Sequence, residues 1–175
     1  MGSLTAFAYE CGEKNVRGGS ARLYLLAYGD AKETNGVVYS ISESGEATLT
    51  LQTGKSFVNI GLIKTGGLVL SEGMTVADNG VYDITQTLTL AVTGINKKSR
   101  KLVNDLKCQP VIAIVKTKQG NILAYGLDGN LQLSESTNTL DDTNNGYSIV
   151  LSGSTIDFAP EITEEHLATL IAAAA

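Results

Sequence analysis

The sequence predicts a mainly β protein, an antiparallel β-sandwich or half-barrel with one short helix across the sheet and a C-terminal helix. Short apolar or alternating runs recur along the chain, separated by glycine, asparagine and aspartate, which is typical of sandwiches and barrels. Four pairs that accept the positive φ of tight hairpins fall between these runs: Asn35-Gly36, Gln119-Gly120, Asp128-Gly129 and Asn145-Gly146. A chain of 175 residues that is 43% hydrophobic is large enough to bury a core.

Ten strands are predicted in order along the chain. They cover residues 21–27, 37–41, 47–51, 57–63, 67–70, 81–93, 111–118, 122–127, 131–136 and 147–153. The longest, 81–93, alternates most clearly. Its first face carries Tyr82, Ile84, Leu88, Leu90 and Val92, and its second carries Asp83, Thr85, Thr87 and Thr89. Because neighbouring side chains of a strand point to opposite faces, the first set is predicted to pack a core and the second to face water.

The first helix is predicted over residues 97–107, with Asn96 as its N-cap and Pro110 soon after its end. Leu102, Val103 and Leu106 form a narrow apolar stripe at helical spacing, so the helix should lie across the sheet. The second helix runs from Glu164 to about residue 174. Thr163 is its cap, and its apolar face comprises Leu167, Leu170, Ile171 and Ala174.

A helix of this length is marginal alone, so its apolar face must be buried against its own domain or a neighbouring subunit. Both options stay open from the sequence. The predicted organisation is an N-terminal arm (1–20), a β domain (21–158) and a C-terminal helical arm (159–175). In this organisation Leu167, Leu170 and Ile171 are assigned to a subunit interface.

Charge is unevenly distributed along the chain. The net charge is −5, which disfavours a protein that grips nucleic acid through its phosphates. Residues 97–107 form a basic island with five basic residues and one acidic residue. Positive charge in the first turns of a helix opposes the helix dipole, so Lys97, Lys98, Arg100 and Lys101 are predicted either to form a solvated face or to dock on an acidic neighbouring copy.

Motifs of catalysis and cofactor binding are missing from the sequence. His166 is the only histidine, and no GxSxG, HExxH or phosphate-loop pattern occurs. Cys11 and Cys108 lie far apart with no CxxC motif, so neither a zinc site nor a disulfide framework is indicated. The sequence therefore predicts a protein that is not an enzyme and holds no metal or cofactor. No apolar run of membrane-spanning length and no signal peptide are evident, so no membrane partner is expected.

Three segments together resemble tail-tube-like structural proteins of tailed bacteriophages, especially those of Bacteroidetes hosts. They are the strand VYDITQTLTL (81–90), the pair PVIAIVKTKQGNILAYGLDGNLQL (110–133) that follows the basic helix, and the closing strand NNGYSIVLSGS (144–154). The resemblance covers roughly residues 57–158 and stops before the C-terminal helix.

The resemblance implies a virion protein, assembled in the host cytoplasm, whose subunits join into rings of six-fold symmetry that stack as a tail tube. Other tail or connector proteins are then its partners, and DNA passes through without specific binding. Under this reading Asp83, Thr85, Thr87 and Thr89 face the lumen. The alternatives are another virion component, such as a capsid decoration, head fibre or connector protein, and a carbohydrate-binding sandwich. The absence of Trp disfavours the last of these.

Overall fold

Ten antiparallel strands and two α-helices make up the described part of the protein, which confirms the predicted fold class. A computed structural model describes residues 20–60, 68–143 and 145–172. The strands are β1 (Ser20–Ala27), β2 (Tyr39–Ile41), β3 (Ala47–Leu49), β4 (Val58–Ile60), β5 (Leu68–Val76), β6 (Tyr82–Thr93), β7 (Val111–Thr117), β8 (Ile122–Tyr125), β9 (Gln132–Leu140) and β10 (Asn145–Thr155). The helices are α1 (Lys97–Leu106) and α2 (Glu164–Ala172). The predicted N-terminal arm lies outside the described residues, apart from Ser20, which begins β1.

The strands form two four-stranded sheets and a separate hairpin. Sheet I has the order β4-β1-β7-β8, sheet II has the order β5-β6-β10-β9, and β2 pairs with β3. One core lies between the two sheets, where Leu23 and Val115 of sheet I share a cluster with Leu88 and Ile149 of sheet II. A second core lies on the other face of sheet I, beneath the β2–β3 hairpin and α2. Sheet I is therefore buried on both faces, which explains the unbroken apolar run VIAIV in β7.

Several local predictions differ from the structure; for example, the strand expected at 131–136 continues to Leu140 as β9. The strand expected at 67–70 continues to Val76, because β5 stays in register with β6 from Leu68 opposite Leu90 to Val76 opposite Tyr82. The pair Asn145-Gly146 does not form a turn, because both residues belong to β10 and pair with β9. The Asn35-Gly36 turn is confirmed, with positive φ at both residues.

Helix α1 begins as predicted at Asn96. The Asn96 Oδ1 accepts hydrogen bonds from the backbone N–H groups of Lys98 (2.9 Å) and Ser99 (3.1 Å). The Ser99 Oγ in turn accepts from the backbone N–H of Asn96 at 3.0 Å. This reciprocal cap satisfies N–H groups at a helix end whose lysines oppose the dipole. The helix buries Leu106 in the core between the sheets.

The C-terminal segment packs on the chain's own sheet, which corrects the assignment of residues 159–175 as an arm between subunits. Leu167 and Leu170 are only 3% exposed and belong to the second core with Ile112 and Ile114 of β7. Ile171 is 38% exposed and points away from that core. The apolar stripe is thus satisfied within the subunit, so the interface assignment of Leu167 and Leu170 is wrong.

The residues before α2 also join the hairpin to sheet I. The N–H of Ala124 donates to the carbonyl of Pro160 at 3.0 Å, and the N–H of Ile162 donates to the carbonyl of Ile122 at 2.9 Å. On the other side, the N–H of Ala47 donates to the carbonyl of Glu161 at 2.8 Å. The free edge of β8 is therefore covered by main chain, and β3 is held beside it.

Candidate functional site

The outer face of sheet II is a polar surface that contains all four residues predicted to line a lumen. Along β6, Asp83 and Thr85 are exposed, while Thr87 and Thr89 are half-buried. Period-two alternation places Ile84, Leu88 and Leu90 in the core, as the sequence predicted. Tyr82, predicted to pack in the same core, is 53% exposed, because it begins β6 beyond Ile84. The structure thus brings the four polar residues together on one face.

Neighbouring strands extend this polar face on both sides of β6. Thr87 lies opposite Ser71 of β5 and Ser152 of β10. Thr85 lies opposite Gly73 and Ser154 by the same registers. The outer face of sheet II is therefore covered mainly by serine and threonine side chains, with few large apolar groups among them.

No lysine or arginine occurs in any of the four strands of sheet II. The strands carry three carboxylates, of which Asp83 and the β9 residue Glu135 are exposed on the outer face. The third, Glu72, is half-buried on the inner face. The electrostatic character of the outer face is therefore neutral to negative, although the chain carries 13 basic residues elsewhere.

Both edges of sheet II are long and open among the described residues. The edge strands β5 and β9 each have nine residues, roughly 30 Å of main chain, and each pairs on one side only. Neither strand contains proline or lysine, two residues that commonly protect sheet edges. In contrast, the β8 edge of sheet I is covered by residues 160–162.

A buried polar network that the sequence analysis missed attaches sheet II to the rest of the subunit. Gln86, only 5% exposed, donates from Nε2 to the Oε1 of Glu72 at 3.0 Å and accepts from the N–H of Gly126 at 3.1 Å. The N–H of Ala159 also donates to Glu72 Oε1, at 2.7 Å. Burial, together with the nearby charge of Glu72, raises the pKa of Tyr125 to about 12. The feature of the sequence that could have indicated this network is Gln86, the single glutamine on the apolar face of the longest strand.

The four basic residues predicted at a subunit interface lie along α1, and three of them, Lys97, Lys98 and Arg100, are exposed with no ion pair to any described residue. Lys101 is also exposed but pairs with Asp105 at 2.9 Å, one helical turn away. These residues lie at one end of sheet II and not on its polar face. The basic island and the polar face are therefore separate surfaces.

His166 has a structural contact in this subunit. Its Nε2 accepts a hydrogen bond from the backbone N–H of Leu49 at 2.9 Å, which joins α2 to β3. Burial lowers the pKa of His166, and the contact with Leu49 requires an unprotonated Nε2. Lys116 of β7 adds an ion pair to Glu164 at 2.7 Å, at the start of the same helix.

No family model and no curated protein sequence matches this chain. Neither described helix is long and apolar enough to cross a membrane. Across residues 20–60, 68–143 and 145–172, no three His, Cys, Asp or Glu side chains cluster in a way that could hold a metal ion. Cys108 is exposed and unpaired, and Cys11 lies outside the described residues.

Proposed function

We propose that this chain is a virion structural protein of a tailed bacteriophage, whose copies join into rings that stack as a tail tube or tail ring. The observation that carries the proposal is the absence of lysine and arginine from all four strands of sheet II, whose outer face is polar and exposed. In the proposed ring this face lines the passage for DNA. The ring forms in the host cytoplasm and is retained in the virion. The resemblance to tail-tube-like proteins implies six copies of the chain in each ring.

The electrostatics of the face support a conduit. DNA carries one negative charge per about 1.7 Å of helix axis, and a protein that neutralises phosphates with lysine or arginine holds DNA in place. A surface of hydroxyl groups with the carboxylates of Asp83 and Glu135 makes no such contacts. DNA would therefore slide past it without being retained.

The edges support assembly through sheet II. An open, unprotected edge pairs readily with another strand, and the β5 edge of one copy can pair with the β9 edge of the next. Because the two edges belong to opposite sides of one sheet, repetition of this contact extends the sheet from copy to copy and can close into a ring. The polar faces of all copies would then lie on the same side of that ring.

The test places a single lysine at each open edge. Val69→Lys on β5 and Thr137→Lys on β9 alter exposed outer-face positions, so each variant should fold normally. Both should lose the rings that wild-type protein shows by negative-stain electron microscopy and sedimentation velocity. Thr85→Lys is the matched control, since it adds the same side chain to the same face on the central strand β6, and its rings should persist.

Two outcomes would overturn the proposal. One is wild-type protein that stays monomeric at high concentration. The other is edge variants that form rings as well as the Thr85→Lys control does.

A further inference from the structure

The two ends of sheet II differ in their chemistry. At one end, the β5–β6 hairpin projects beyond the core, and four large apolar side chains there are each more than half exposed: Met74, Val76, Val81 and Tyr82. Val76 pairs with Tyr82, and both continue the inner face of the sheet past Ile84, the last buried residue of β6 in that direction. We call residues 74–83 the hairpin tip. Its exposed apolar face is covered by no described part of the same chain.

At the other end, an open groove of about 490 Å³ lies between α1 and β9. Val103, Leu133 and Tyr147 supply its apolar lining, and Arg100 and Lys107 supply its charge. Tyr147 is paired with Val92, ten residues along β6 from Tyr82. Tyr147, at the far end of the groove, is therefore about 33 Å from Tyr82 along the same sheet.

The two surfaces are complementary in charge as well as in polarity. The hairpin tip carries the exposed carboxylate of Asp78 and no basic residue. Arg100 and Lys107 in the groove have no carboxylate within 4.0 Å among the residues that the structure describes. An apolar, acidic projection at one end thus matches an apolar, basic groove at the other.

We propose that the hairpin tip of one copy docks into the α1–β9 groove of a second copy, head to tail along the strand direction. This inference rests on the proposed function for its context, in which the two copies belong to successive rings of a stack. Because the two surfaces are different and lie at opposite ends, the contact is heterologous and does not close, so it adds copies indefinitely along one axis. It also assigns the basic island a partner, the acidic tip of the next copy.

The experiment uses one variant defective in each surface. The tip variant carries Asp78→Lys and Val81→Ser, and the groove variant carries Arg100→Glu and Lys107→Glu. All four positions are exposed, so both variants should keep the wild-type melting temperature. Each variant alone should form single rings without tubes, by side views in negative stain and by sedimentation velocity. When separately formed rings of the two variants are mixed, they should associate in pairs and no further. The groove variant supplies intact tips and the tip variant supplies intact grooves, so only one kind of junction can form.

Matched controls carry the same chemical changes at other exposed positions. Val58→Ser removes an exposed valine from β4, and Lys118→Glu reverses a charge beyond the end of β7. Both should form tubes of wild-type length. A second test uses Asp78→Lys and Arg100→Glu, first separately and then in one chain. Each change alone should shorten or abolish the tubes, and their combination, which exchanges the two charges, should restore them.

The outcomes separate this inference from the proposed function. Long tubes from the tip or groove variant, or pairs that fail to form on mixing, would overturn the docking contact while rings remain as support for the function. Wild-type protein without rings would overturn the function. In that case, head-to-tail dimers formed when the tip variant and the groove variant are mixed would still support the docking contact. If no such dimers formed, the docking contact would be overturned together with the function. Capture of an unrelated protein by the groove, with tubes unaffected by either variant, would also overturn it.

Discussion

Gly153 is a residue whose importance only the three-dimensional structure reveals. It lies within β10, and a Cβ at this position would be 2.4 Å from the carbonyl oxygen of Asn130, where the chain enters β9. We expect Gly153→Ala to destabilise the fold by about 1–3 kcal/mol, since main chain would have to move. Urea unfolding measures this change. Gly73→Ala is the control, because its Cβ would meet nothing within 4 Å, and an equal loss of stability in both variants would contradict the crowding argument.

His166 predicts a pH dependence of stability. Because burial lowers its folded-state pKa, the unfolded chain binds the proton more readily than the folded one. The contribution of neutral His166 to the free energy of unfolding is complete at pH values above its pKa in the unfolded chain, near 6.5. This contribution is lost as the pH falls below that value towards the pKa of His166 in the folded protein. The melting temperature should therefore decrease from pH 7.5 to pH 5.5. In His166→Gln, whose side-chain oxygen can still accept from Leu49, the decrease should be smaller, and parallel curves for the two proteins would refute this role.

Among the elements, α2 shows where sequence reasoning reaches its limit. Its cap at Thr163 and its apolar stripe were predicted, and Thr163 Oγ1 accepts from the N–H of His166 at 3.2 Å. The surface that it covers could not be predicted, because the same stripe fits a neighbouring subunit as well as its own sheet. The buried residues Ile112 and Ile114 of β7 carried the missing information, since a strand buried on both faces needs a cover on each.

The packing of α2 leads to a prediction with a control in the same helix. Leu170→Ala removes a side chain that is 3% exposed in the core beneath sheet I, so we expect a loss of about 2–5 kcal/mol. The next residue, Ile171, is 38% exposed, and Ile171→Ala should cost less than about 1 kcal/mol. Thermal and urea unfolding compare the two. Similar costs would mean that α2 is not packed on the sheet as described.

At the scale of the whole molecule, the two sheets have different tasks. Sheet I is enclosed between two cores and serves as the scaffold, while one face and both edges of sheet II are left free by the residues that the structure describes. The polar face of β6 was predictable because period-two alternation is a local property. The order of the strands was not, since β10 lies between β6 and β9 through contacts between distant segments. The length of β5 was also missed, because Glu72 and Gly73 resemble a turn until the Gln86 contact is known.

The conduit assignment predicts what happens when the polar face is made basic. In Asp83→Lys/Thr85→Lys both changes are at exposed positions, so the free energy of unfolding should change by no more than about 0.5 kcal/mol. Assembled particles of this variant should retain DNA with a strong salt dependence, because each added lysine can neutralise a phosphate. The matched control, Ser40→Lys/Thr48→Lys, places two lysines on a paired, exposed site of the β2–β3 hairpin. DNA held in the lumen should be protected from nuclease, whereas DNA held by the hairpin should be digested. If nuclease digested the DNA bound by the two variants equally, the polar face would lie on the outside of the assembly. The proposal that this face lines a conduit would then be wrong.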